Sequence, residues 1–404
     1  MVRRHSEQFP AAVFFFHLMF SPSAPSTAEI RKPLLLIHSE ASLGWGGQEH
    51  RVFTELNGFK SLGHRVALVA PEHGNLFARC AGAGIPCFHT SFARRHLVQD
   101  LTRLTFFLKQ QRPAVVNTHS SRDGWCMGLA SRLAQVPLLI RSRHIDVDYK
   151  SPTISRHAFT TLADHVITTS DAITQKLQRE LHVHSDRIST MATGIDLTRF
   201  SSTGPMAELP RPAPGPLIGM ISVLRSWKGH DVFFQAVRRL HDSGFRGNFV
   251  VVGGGAAVQT FREMARARGV EEFVHFTGHR EDVPELLRAL DLLLIPSTRH
   301  EGIPQIGLQA LACGTPAIGS SVGGIPEILR HGETGRIFAP NCSLSLADCI
   351  RTVFQEPDKT AAMIQKGAVL VESRYSLEAL MGDLLSLYKR YLGDHPAVGA
   401  TPVL

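Results

Sequence analysis

From Pro33 onward the chain alternates short, continuously apolar runs with longer stretches of helical spacing. LLLIHS (Leu34–Ser39), HRVALVA (His64–Ala70), IPCFHT (Ile85–Thr90), AVVNTHS (Ala114–Ser120), PLLIRSRH (Pro137–His144) and HVITTS (His165–Ser170) each have strand length. Between the first of them, EHRVFTELNGFKSLG and NLFARCAGAG have helical spacing and a glycine exit. Strands without a polar face, alternating with helices, predict a parallel sheet covered on both sides.

The rhythm breaks at Ser201–Pro216, SSTGPMAELPRPAPGP, where five prolines and two glycines mark a linker. It then resumes with LIGMISV, NFVVVGGG, VHFTG, LLLIPS and PAIGSS. The expected architecture is α/β, with two doubly wound, Rossmann-like domains facing across a cleft. Residues 32–203 form the first and residues 204–373 the second. The amphipathic segment Ser376–Leu392, within 374–404, is expected to return to the first domain. Ligands of such sheets bind at the carboxyl ends of the strands.

The net charge of +8 lies wholly in residues 1–205, with 23 basic against 15 acidic residues; the remainder is neutral. Such a field suits nucleic acid, an anionic membrane face or an acidic substrate. The six cysteines are scattered without a C-x-x-C pair, which argues against a zinc site or a disulfide framework and favours a reducing, cytoplasmic compartment. The apolar run Ala11–Phe20 is too short to span a bilayer. Residues 1–31 are therefore expected to be an extension outside the fold, either a spurious upstream start or a weak surface anchor.

Three glycine-bearing loops follow strands and open helices: Gly44, Gly46 and Gly47; Gly253–Gly255; and Gly323 with Gly324. Glycine admits a close backbone approach, and a helix N-terminus offers N–H groups to phosphate. Each loop alone also fits an ordinary turn. None matches the dinucleotide fingerprint or the P-loop. In VLRSWKGHD, Arg225 and Lys228 follow the first strand of the second domain and suit a diphosphate. The stretch RHEGIPQIGLQALACGTPAIGSS places Glu301 in a loop at a strand's carboxyl end. Gln305 and Gln309 then share one stripe of the next helix.

EGIPQIGLQALACGTPAIGSSVGGIPEIL resembles the family 4 (group 1) retaining glycosyltransferases of GT-B fold, whose signature is E-x7-E within E-G-x-P-x-x-x-x-E-A. The resemblance spans about residues 33–392 and includes GWGGQE, NTHS, RSRH, TGIDLTRF, LRSWKG, VVGGG and HFTGHREDVPELL. It implies that Glu301 faces the donor sugar and that the ribose position, usually glutamate, is Gln309. Lys228 becomes the phosphate-binding lysine. Val223 stands where the family has arginine, and Arg225 is its expected substitute. It further implies a donor site formed by Gly46, Gly47, Gly253, His279, Gly302, Ile303, Pro304 and Gln305. His119 becomes the cleft histidine near the donor sugar, and His144 and Trp45 lie on the acceptor side.

The activity implied is retaining, metal-independent transfer from a nucleotide-diphosphate sugar to a glycan or glycolipid. No metal ligand and no cofactor beyond the donor substrate are expected. The wording of the motifs looks most like enzymes of lipopolysaccharide-core or other cell-surface glycan assembly. Ser91–Arg112, mixing Arg94, Arg95, Arg103 and Lys109 with apolar residues, suits an anionic membrane surface and hence a peripheral location at the inner face of the cytoplasmic membrane. An ordinary amphipathic helix has the same pattern. A nucleotide-sugar epimerase would share the architecture and is the alternative. Nucleic acid is not expected as a partner, since neither an aromatic-studded basic sheet nor zinc spacing appears.

Overall fold

A computed structural model describes residues 33–149, 151–255 and 257–393; the run Ala11–Phe20 and the last eleven residues lie outside the described residues. The first sheet comprises β1 (Leu35–Ser39), β2 (Arg65–Ala70), β3 (Cys87–His89), β4 (Val115–Thr118), β5 (Leu138–Arg143), β6 (His165–Thr168) and β7 (Ile188–Thr190). All its pairings are parallel, in the order β3-β2-β1-β4-β5-β6-β7. The second sheet comprises β8 (Leu217–Ile221), β9 (Asn248–Val252), β10 (Val274–Gly278), β11 (Leu292–Ile295), β12 (Ala317–Ser320) and β13 (Arg336–Phe338). It is also parallel, in the order β10-β9-β8-β11-β12-β13.

Both sheets are buried on both faces, which is why their strands lack polar alternation. In the first domain Leu36, Leu68, Leu138 and Ile140 pack on one side, while Ile37, Val69, Val116 and Leu139 pack on the other. The order reverses between β1 and β4, and again between β8 and β11, so each sheet opens a crevice there. Two short edge strands, β7 and β13, escaped the hydrophobic pattern. Each has three residues and carries polar side chains, too little for an apolar run.

The linker is not a free tether. Arg288 donates through Nε to the Pro205 carbonyl (2.7 Å) and through Nη1 to the Ser201 carbonyl (3.2 Å). Arg211 pairs with Asp291 at 3.0 Å. These contacts strap residues 201–211 onto the second domain, so the proline-rich composition describes a fixed extended segment. The crossings between domains lie just outside it. Ile195 N donates to the Tyr375 carbonyl (2.8 Å) and Leu377 N to the Ile195 carbonyl (2.9 Å), so the outgoing and returning chains bridge each other.

Beyond that bridge runs the helix Leu377–Leu392, capped by Ser376 Oγ on Ala379 N at 3.2 Å. Leu380, Met381, Leu384, Leu387 and Tyr388 complete the core of the first domain, with Tyr388 stacked 5.6 Å from Phe59. Gly58 lies opposite, where a Cβ would come within 2.7 Å of Met381 Sδ and push that side chain aside. Leu384 is fully buried. Leu384→Ala is expected to lower stability by about 2–5 kcal/mol through lost burial and the cavity left behind. Urea unfolding followed by circular dichroism checks this.

Candidate active site

The carboxyl edges of the two sheets face a continuous cavity of about 2450 Å³. That exceeds the few hundred to 1,000 Å³ of a single small-molecule pocket and gives room for two ligands. On the second-domain wall, the loop after β11 carries Glu301 and the loop after β8 carries Lys228. They meet: Lys228 Nζ lies 2.5 Å from Glu301 Oε1, which also accepts from Ser297 Oγ at 2.6 Å. Ser297 is anchored in turn, its carbonyl accepting from Ser320 Oγ (2.5 Å). Glu301 is only 6% exposed, so its carboxylate is held by partners rather than by water. Two loops distant in sequence are pinned together because Gly229, at φ 79°, lets the β8 loop pass Pro296; a Cβ there would sit 1.7 Å from its carbonyl.

Trp45, Gly46, Gly47, Arg225, Gly253, His279, Gly302, Ile303, Pro304, Gln305 and Gln309 all line this cavity, as do His144, Lys228 and Glu301. Gln309 projects from the helix Gln305–Ala312, which Pro304 precedes as N-cap. Gln305 reaches across to the first domain, donating from Nε2 to the Gly47 carbonyl at 3.2 Å. Trp45 is spent largely on packing: its ring lies 4.1 Å from His50, and the Arg79 guanidinium sits over it at 4.4 Å.

Several glycines on the cavity wall sit at close contacts, whereas a Cβ on Gly46 or Gly47 would meet nothing nearer than 3.4 Å. A Cβ on Gly302 would lie 2.3 Å from Thr169 Oγ1, and one on Gly324 would lie 2.7 Å from Ser170 Cβ. Both are places where the second domain touches the first. Gly253 faces the Ser222 carbonyl, 2.2 Å from an added Cβ. The helix after Gly324 is a single turn, Ile325–Ile328, too short to offer a strong dipole. Its Glu327 instead caps the first-domain helix Asp171–Leu181, accepting from Asp171 N (3.0 Å) and Ala172 N (3.1 Å). Burial pushes the Glu327 carboxyl up. His300, in left-handed conformation at φ 61°, makes a further crossing, with Nδ1 2.8 Å from the Asp146 carbonyl. Neither Glu327 nor His300 was singled out from sequence. Their partners lie some 155 residues away, and no local pattern signals such a contact.

On the first-domain wall the two strand-end histidines are placed differently. His119 follows β4, but it is 3% exposed and does not line the cavity. His144, one residue past β5, lies between it and the cleft, with His119 Nδ1 at 2.9 Å from His144 Nε2. Behind His119, its Nε2 meets His38 Nδ1 at 3.0 Å. His38 Nδ1 in turn lies 3.8 Å from Glu55 Oε2, and Glu55 Oε1 pairs with Arg51 Nε at 2.6 Å. Two neighbouring strand ends each deliver a histidine, and of the two His144 lines the cavity. Asp123 fixes the turn after β4 by accepting from Ser39 Oγ (2.8 Å) and His119 N (2.9 Å).

His38, Glu55 and His119 have ligand-type atoms within 4.8 Å of one another, the grouping closest to a metal site among the described residues. The facing nitrogens are at hydrogen-bond spacing, however, and Arg51 already places a cation on Glu55. They are better read as a hydrogen-bonded chain. Asp146 and Asp148, the one D-x-D in the chain, are likewise compensated by a lysine, with Lys176 Nζ at 2.7 and 2.9 Å.

Burial lowers His38 to about 4 and holds His119 and His144 well below the usual histidine range. All three therefore stay neutral in the native state at neutral pH, whereas the unfolded chain protonates them below about 6.5. Because the unfolded state then binds more protons, stability is lost as pH falls from about 6.5 toward 4. For His38 that loss amounts to about 2 kcal/mol by pH 5. The melting temperature is expected to drop between pH 7 and pH 5, and less so in His38→Gln, as scanning calorimetry would measure.

Residues 45–199 match Glycosyltransferase Family 4 and residues 206–369 match Glycosyl transferases group 1. The D-inositol 3-phosphate glycosyltransferase of Corynebacterium glutamicum is 28% identical over 329 residues, 77% of each chain. WcaL of Escherichia coli, named as a candidate colanic acid biosynthesis glycosyltransferase, is 27% identical over 236 residues, covering 55% of this chain and 56% of WcaL. Among solved structures, Alr3699/HepE of Anabaena in complex with UDP and glucose superposes with a TM-score of 0.75 at 19% identity, over 88% of this chain and all of that one. With two matched domains, two parallel sheets and a cleft lined by the signature residues, this chain belongs to the group 1, family 4 glycosyltransferases and has the GT-B fold.

Proposed function

We propose that the protein transfers a sugar from a nucleotide-diphosphate donor to a hydroxyl of a glycan or glycolipid, with retention of anomeric configuration and without a divalent cation. The observation that carries this reading is the Lys228–Glu301 pair on the cavity wall, with Gln309 on the helix beyond it. In the absence of ligand the ammonium neutralises the carboxylate. A diphosphate would draw Lys228 onto its oxygens and free Glu301 to hold sugar hydroxyls. The C1–O bond to phosphate breaks while the acceptor oxygen bonds to C1 on the same face, and the acceptor proton passes to the leaving phosphate. Contacts from Gln305, His300 and Glu327 to the first domain keep the two walls together and water out.

A cell-surface acceptor, such as one of lipopolysaccharide or capsular type, is supported by the motif wording and by the name of the relative WcaL. HepE, with UDP and glucose in its structure, makes a uridine donor the first to try. For attachment, no helix among the described residues is long and apolar enough to cross a membrane. The helix Leu97–Gln111 and the turn before it expose Val98 (79%), Phe106 (63%), Arg94, Arg95, Arg103 and Lys109. Apolar tips flanked by cations suit peripheral contact with anionic lipid.

A thermal-shift screen against UDP, GDP, ADP and CMP, with and without magnesium, tests the donor site. One diphosphate is expected to raise the melting temperature independently of magnesium, by up to about 2.7 kcal/mol of added stability at a hundred times its dissociation constant. Lys228→Ala should abolish the shift, and a response to none of the four would overturn the reading. Gln309→Glu should tighten the same nucleotide about fivefold, because a charge-assisted bond to a ribose hydroxyl contributes roughly 1 kcal/mol more than a neutral one. Sedimentation with vesicles should show binding to phosphatidylglycerol-rich but not to neutral lipid. That binding should weaken with salt and be lost in Val98→Asp/Phe106→Asp.

A further inference from the structure

The three histidines that run inward from the cleft wall form a chain whose direction can be worked out. His144 Nε2 meets His119 Nδ1, and His119 Nε2 meets His38 Nδ1. The rings are nearly parallel, with interplanar angles of 24° and 26°. A neutral imidazole has one N–H and one lone pair, so His119 must donate on one side and accept on the other. Two arrangements satisfy this, and they give His144 opposite characters.

In the first, His38 carries its proton on Nδ1 and donates to His119 Nε2. His119 then donates from Nδ1 to His144 Nε2, and His144 keeps its own proton on Nδ1. In the second, every proton moves to Nε2 and each bond reverses. His144 then donates inward and leaves its Nδ1 bare. The far end of the chain decides between them. His38 Nε2 is buried and has no hydrogen-bond partner, so a proton there would be an orphaned donor, which is costly. A lone pair left in that place is better tolerated. The second arrangement would also turn the His38 Nδ1 lone pair toward Glu55 Oε2, 3.8 Å away and itself without a hydrogen bond. A proton on Nδ1 instead meets His119 and lies beside that carboxylate, which Arg51 holds in place from its other oxygen.

We propose that Glu55 and His38, neither of which touches the cleft, are positioning residues that fix the tautomer of His144, so that this histidine presents an N–H donor at Nδ1 to the bound ligand instead of a basic lone pair. Burial, which keeps all three rings neutral, holds the chain in one protonation state. His144 Nδ1 has no protein partner among the described residues. The tautomer stands on the protein alone. What its N–H meets, a hydroxyl or ring oxygen of the transferred sugar, rests on the sugar-transfer reading. A donor at this point cannot deprotonate the acceptor, which leaves that proton to the departing phosphate.

The test is a long-range proton–nitrogen correlation spectrum of the full chain, labelled at the histidine side chains, at pH 7 without ligand. His38→Gln, His119→Gln and His144→Gln identify the signals. All three rings are expected in the Nδ1–H form, whereas free neutral histidine favours Nε2–H. In Glu55→Gln, whose amide can donate to His38 Nδ1, the signal of His144 should move toward the Nε2–H form. A wild-type His144 already protonated on Nε2 would overturn the proposal, as would tautomers unchanged in a folded Glu55→Gln. Should that variant not fold, the wild-type spectrum decides alone. Because no ligand is used, failure of the nucleotide screen leaves this result standing, and failure here leaves the screen standing.

Discussion

In a parallel sheet every strand arrives at the same edge, and everything the cleft contains follows from that constraint. The edge of the first sheet collects His38, His119 and His144 from β1, β4 and β5, while that of the second collects Lys228 and Glu301 from the loops after β8 and β11. Residues up to about a hundred positions apart are thereby neighbours without any strand having to bend. What the strands cannot do is close the gap between the edges. That falls to side chains and close-packed glycines: Gln305 on Gly47, Glu327 on the helix Asp171–Leu181, and Gly302 and Gly324 against Thr169 and Ser170.

The two walls differ electrically. The second-domain wall holds a part-exposed cation paired with a buried carboxylate, able to exchange partners when a charged ligand enters. The first-domain wall is backed by charge buried outright: Arg51 and Glu55 are both 0% exposed, and the buried Tyr388 of the helix Leu377–Leu392 feels the field of both. A buried ion pair stabilises little by itself and costs much when broken, so its value here is directional. It sets a fixed field at one end of a row of neutral rings.

Much of this was legible in the sequence. Eleven of the apolar runs are strands, and Glu301, Lys228 and Gln309 line the cavity, because motif residues at strand ends have few other places to go. The histidines were harder. Both NTHS and RSRH end strands, and composition does not say which ring stands in front; in the fold His144 lines the cavity and His119 lies behind it. His38 sits in the run LLLIHS and carries no local sign of its two partners. The linker misled in the opposite sense. Its prolines and glycines imply freedom, but Arg288 and Arg211, donors from a helix and from the segment itself, tie it down.

Those straps bear on how the two halves can move. With residues 201–211 fastened to the second domain, the halves are joined by two short crossings, and these are hydrogen-bonded to each other at Ile195 and Tyr375–Leu377. Two ropes lashed at one point behave as a pin. Sliding of one half over the other would tear the lashing, whereas swinging about it would not. Opening then becomes a problem of torque: a contact far from Ile195 resists the swing more than an equal contact beside it. Ligand groups at the distant rim gain leverage over the cleft out of proportion to the bonds they make.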